Sequence, residues 1–138
     1  MKTLLMVIAF VVCASGQNAA TTSGLANGRL WKSVSTTSEK KGFLVGYLNG
    51  ILYGTISAFG DVQSSVATNS ANRLKKQLFP TTLTLDEVSA SLDRFYAAPE
   101  NGPITIASAL EVISFRASGA DEAAVQKMIS DLLKNLTK

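Results

Sequence analysis

The chain has 138 residues, with 13 Lys+Arg, 10 Asp+Glu and no His. At 46% hydrophobic and 17% charged it is too apolar for a disordered tail, and its length fits one domain. The lack of His removes the commonest general base and metal ligand. With Cys13 as the only cysteine, neither a nucleophile–His pair nor a Cys/His zinc set exists in the sequence.

Met1-Lys2-Thr3 is a short positive start, and Leu4 to Val12 is an unbroken apolar run. Ala14 and Gly16 fit a small-x-small cleavage pattern. This layout predicts a secretory signal peptide over 1–16, cut before Gln17, and an exported product, periplasmic or secreted. The apolar run is shorter than the roughly 20 residues of a membrane span. Cleavage removes Lys2 and Cys13 and leaves 12 basic against 10 acidic residues. So small an excess gives no argument for nucleic acid. The mature chain has no disulfide and no thiol nucleophile, so its stability rests on core packing.

Residues 17–26 are small and polar without a period, and read as a flexible leader to a helical domain over 27–138. Asn27 suits the N-cap of a short helix that carries Trp31. The polar Ser35 to Ser38 can cap the next helix. Gly42 to Gly60 then carries no charge, and Gly42, Gly46, Gly50, Gly54 and Ala58 recur at every fourth position. Four-residue spacing lines them up on one helical stripe. A mid-helix Gly costs about 0.8–1 kcal/mol relative to Ala. Close approach of another backbone inside a soluble fold is the reason expected for it. A membrane helix, or self-assembly through the stripe, is the alternative.

Asp61 to Ser70 reads as a loop, and Ala71 to Leu78 as a short basic helix stopped by Pro80. Its Arg73, Lys75 and Lys76 read as a solvated face. Thr84 and Glu87 fit a capping box, which opens a helix with Leu85, Val88, Leu92, Phe95 and Tyr96 on one stripe. Pro99 to Pro103 forms a turn-rich connection. Ile106, Ala107, Leu110, Ile113 and Ala117 give the next helix, ended by Gly119 as C′ residue. Asp121 caps the last, with Val125, Met128, Ile129, Leu132, Leu133 and Leu136 facing inward. No stretch alternates with period two over any length. The expected fold is all-α: a compact bundle of four main helices plus one or two short ones.

Chemistry is sparse. The glycines lie in a helical stripe and not in a phosphate-cradling loop. Asp86 with Glu87, or Asp93 with Glu100, are the carboxylate pairs that arithmetic permits. The first two sit in a helix's first turn, where acids complement the dipole. No catalytic set, metal site or cofactor is expected. The cluster from Asp93 to Tyr96, followed by Pro99 to Ile104, reads as core filling with Asn101 bonding turn backbone. A small polar pocket at the Tyr96–Asn101 turn is the other reading.

Three segments carry a resemblance. They are Asn27-Gly28-Arg29-Leu30-Trp31, Lys41 to Gly50 (Lys-Gly-Phe-Leu-Val-Gly-Tyr-Leu-Asn-Gly), and Leu92-Asp93-Arg94-Phe95-Tyr96 with Pro99-Glu100-Asn101 and Pro103-Ile104. Together they resemble small exported bacterial proteins of unknown function. More remotely, Gly46-Tyr47-Leu48-x-Gly50 with Pro80 and Leu83 resembles the Rap/Tai-type periplasmic immunity proteins. Those are small helical proteins that bind and neutralise type VI secretion effectors. The resemblance implies an exported protein-binding module, inhibitor or immunity-like, whose partner is an effector or envelope protein. The candidate binding patch is Trp31, Arg94, Tyr96 and Asn101. The alternative is a membrane-associated or self-assembling helical protein packed through Gly42, Gly46, Gly50 and Gly54.

Overall fold

A computed structural model describes residues 20–58, 64–80 and 82–136. The signal peptide expected over 1–16 lies outside the described residues, as does Cys13. A two-strand hairpin, β1 (Thr21–Thr22) and β2 (Leu25–Ala26), comes first. Among the described residues six helices follow: α1 (Gly28–Ser33), α2 (Thr37–Ala58), α3 (Ser64–Leu78), α4 (Leu85–Ala97), α5 (Ile106–Ala117) and α6 (Glu122–Asn135). A 3-10 turn, Pro99–Asn101, links α4 to α5. The fold is all-α apart from the hairpin.

Local chemistry sets the helix starts. Asn27 Oδ1 accepts from the backbone N–H of Arg29 at 3.0 Å, at the start of α1. Thr36 and Glu39 exchange side-chain and backbone bonds before α2, and Thr84 with Glu87 forms the expected capping box of α4. Thr105 and Asp121 cap α5 and α6. Gly119 ends α5 with φ +88°, the left-handed conformation that favours glycine.

Two boundaries differ from the sequence reading. The segment read as a leader over 17–26 holds the hairpin, turned by Ser23 and Gly24, both at positive φ. It is fastened by Thr22 Oγ1, which donates to the Pro103 carbonyl at 2.6 Å. The loop read over Asp61 to Ser70 is helical from Ser64 onward. There Ala67, Ala71 and Leu78 are buried at i, i+4 and i+11, a stripe built largely of alanines.

α5 packs against α3, α4 and α6, while α2 packs against α3 and α4. The core gathers Trp31, Leu44, Val88, Leu92, Tyr96, Ile104, Ile106, Leu110, Val112 and Val125, all essentially inaccessible. Burial of such side chains contributes roughly 1.5–3 kcal/mol each.

Among the described residues, the glycine stripe does not meet another backbone. Gly42, Gly46, Gly50 and Gly54 are exposed, and a Cβ built on any of them meets nothing within 4 Å among the described residues. The opposite face of α2 carries Phe43, Leu44, Tyr47, Leu48, Ile51 and Leu52, and it is this face that turns inward. Bulky apolar side chains gain free energy on burial and glycine has none to bury, so the helix turns its glycines outward. No described helix is long and apolar enough to cross a membrane.

Candidate functional site

Of the four residues expected to form a binding patch, three are interior. Trp31 is 1% exposed and donates from Nε1 to Asp93 Oδ1 at 2.8 Å. Lys40 Nζ reaches the same carboxylate oxygen and lies 5.3 Å from the indole centroid. Phe43 meets Trp31 edge-on, and Tyr47 stacks on Phe43. Tyr96 is fully buried, edge-on to Phe95, with its hydroxyl donating to the Ile104 carbonyl at 3.0 Å. Burial first, and the neighbouring Tyr47 second, push its phenol well above the ordinary value of 10. Asn101 Nδ2 donates to the Phe95 carbonyl at 2.8 Å, and so ties the 3-10 turn to the end of α4. The exposed patch of Trp31, Arg94, Tyr96 and Asn101 therefore does not exist as such. The segments that carry the resemblance converge in space, and they do so as core and fastening.

Three of the four carboxylates that arithmetic pairs are engaged in structure. Asp86 pairs with Lys41 at 3.0 Å, Glu87 caps α4, and Asp93 serves Trp31 and Lys40. Among the described residues, no three His, Cys, Asp or Glu side chains gather as a metal group would need.

Arg94 and Asn101 do share a site, on the other side of α4. A cleft of about 710 Å³ opens between α4, the 3-10 turn, α5 and α6. Phe95, Ile113 and Ile129, each 9% exposed or less, form an apolar floor that Leu83 and Leu133 extend. Arg94 stands on the α4 side, Arg116 on α5 and Lys134 on α6, with Glu100 on the turn. Ser91, Ser130, Asn101 and Gln126 supply neutral polar groups along the lining. The volume lies within the roughly 300–1,000 Å³ of ligand-receiving pockets.

The cations of this rim differ in their engagement. Arg116 grips Glu122 with two bonds, Nε to Oε2 at 3.0 Å and Nη2 to Oε1 at 2.8 Å. These bonds, joined by one from Gln126, hold the Glu122 carboxyl below its ordinary range. Lys134 lies 3.8 Å from Asp131. Arg94 donates to the neutral Ser91 Oγ at 3.0 Å.

Sequence reasoning missed Leu83, Ile113, Ile129 and Leu133 as site residues. The helical spacing of Ile113, Ile129 and Leu133 marks them as inward-facing, and nothing in a periodicity separates a filled core from the floor of a cleft; Leu83 lies between helices and carries no such spacing. A comparison with protein families, curated proteins and solved structures finds no significant match to this chain.

Proposed function

We propose that the chain is an exported, non-catalytic protein-binding module, inhibitor or immunity-like, that receives its partner in the cleft between α4 and α6. The observation that supports this reading is the cleft, whose apolar floor is bordered by basic side chains. Partner-binding surfaces combine such a desolvated apolar centre with a polar rim. The leader-like start of the sequence supports export, and an effector or envelope protein is the partner expected there. The engagement of Asp86, Glu87 and Asp93 in caps and ion pairs supports a non-catalytic role.

A photo-crosslinking amino acid at Ser130, in the cleft, tests this against one at Asn69, on the exposed face of α3. In intact cells the proposal expects a discrete adduct from position 130 and none from 69. An adduct from 69 alone, or none from either, contradicts it.

A second reading rests on a different observation. The outer face of α2 is uncharged, carries the four glycines and exposes Val45 and Tyr53, the latter 71% accessible. Helices with such stripes can approach one another closely. Self-assembly or membrane association through this face predicts that Gly46→Leu with Gly50→Leu abolishes oligomers and leaves a folded monomer. A wild-type chain that sediments as a monomer without detergent at all concentrations removes this reading.

A further inference from the structure

The cleft also carries information about what enters it. Two of its three cations already lie beside carboxylates of this chain: Arg116 by Glu122 at the start of α6, and Lys134 by Asp131, which Lys127 shares at 2.7 Å. Arg94 is hydrogen-bonded to a hydroxyl and, among the described residues, makes no ion pair. Its sequence neighbour Asp93 is turned to Trp31 and Lys40 on the other side of α4. A guanidinium at the edge of an apolar floor is a planar fork shaped for one carboxylate. Glu100 on the same rim weighs against a highly acidic occupant. The local charge balance therefore fits a single negative group joined to an apolar body.

The neutral lining separates two kinds of such body. Bonds within the chain use the Ser91 oxygen and the Asn101 and Gln126 amide nitrogens, and an alkyl chain would cover what they leave, the Ser91 and Ser130 hydroxyl donors and the two amide oxygens, and return no hydrogen bonds to them. Burial of polar groups without replacement bonds is unfavourable. A polypeptide brings backbone N–H and C=O groups to meet them. Resting on the protein-binding reading above, we propose that the cleft accepts a polypeptide segment with large apolar side chains and one carboxylate, and that Arg94 receives that carboxylate. The apolar side chains settle on Phe95, Ile113 and Ile129. Arg94 selects among apolar segments, and the floor holds them.

The test is selection of a displayed random octapeptide library on the immobilised full chain. Wild type, Arg94→Gln and Ser130→Trp are compared, the last filling the cleft from its rim. Unchanged circular dichroism and thermal midpoint establish that the variants are folded. The expected result is enrichment of sequences with two or more large apolar residues and one Asp or Glu. Such peptides bind Arg94→Gln about tenfold more weakly, as loss of one charge-assisted pair implies. Their Glu→Gln versions bind both proteins alike. Apolar enrichment with no acidic preference overturns the assignment to Arg94 and leaves the binding module standing. Selection on Ser130→Trp that matches wild type overturns the cleft itself. Dodecanoate binding more tightly than every selected peptide overturns the polypeptide and points to an anionic amphiphile.

Discussion

Gly28 lies against the ring of Tyr96 so closely that a Cβ at position 28 would stand 2.1 Å from Cδ1. The contact joins the first turn of α1 to the core end of α4. The Gly28 N–H donates to the Gly102 carbonyl at 3.1 Å, so α1 cannot easily withdraw. Gly28→Ala is expected to destabilise by about 3 kcal/mol, at the upper end of overpacking effects. Urea denaturation gives the number. Tyr96→Leu should recover part of that loss in the double variant, since the ring is what the methyl strikes.

The outer stripe of α2 predicts the opposite sign. Gly46→Ala and Gly50→Ala place a methyl in open space on a regular helix. Each should raise stability by about 0.8–1 kcal/mol. Gly119→Ala, at φ +88°, should lower it by about 1–2 kcal/mol. A loss at position 46 or 50 in a monomeric sample would return the stripe to the interior.

The difference between the expected and observed stripe shows what a sequence conveys. Four-residue spacing says that Gly42, Gly46, Gly50 and Gly54 share a face. It does not say which way the face turns, and α2 is apolar on both sides. The inward choice follows from Phe43, Leu44 and Tyr47, whose burial outweighs anything glycine offers. The caps were legible because each uses one side chain and one spacing: Asn27, Thr84 with Glu87, Asp121, and Gly119 at the end of α5. The first half of α3 was not, because Ala67 and Ala71 make a buried stripe without large residues. The hairpin at Thr21 to Ala26 is too short to show alternation. Arg94 and Asn101 were singled out and do line one cleft, while Trp31 and Tyr96 were aromatic core.

The Trp31–Asp93 bond offers an optical test. Asp93→Ala leaves a buried indole N–H without its acceptor, a change expected to cost about 1–3 kcal/mol. Lys40→Ala removes a partly exposed partner and should cost about 1 kcal/mol or less. Trp31 is the sole tryptophan, so its fluorescence reports this site alone. Asp93→Ala should alter its emission more than Lys40→Ala.

Stability should decline at both extremes of pH. Bonds from Thr36 and Thr84 hold the Glu39 and Glu87 carboxyls below the ordinary 4.5. The unfolded chain therefore binds protons first as pH falls, so their contribution is complete above 4.5 and lost below it. Glu39→Gln and Glu87→Gln should flatten this acid limb in denaturation curves. At the alkaline end, burial raises Tyr47 and Tyr96 above 10, with Glu111 adding to the effect on Tyr47. Their contribution is complete below 10 and declines as pH rises beyond it, and Tyr96→Phe should weaken that dependence.

Recovery of a bound protein from envelope extracts, using wild type, Ser130→Trp and Gly50→Trp, tests the central claim most directly. Each variant fills one surface, the cleft or the outer face of α2, and both positions are exposed. The account predicts that Ser130→Trp loses the partner and Gly50→Trp retains it. Retention by Ser130→Trp would contradict it.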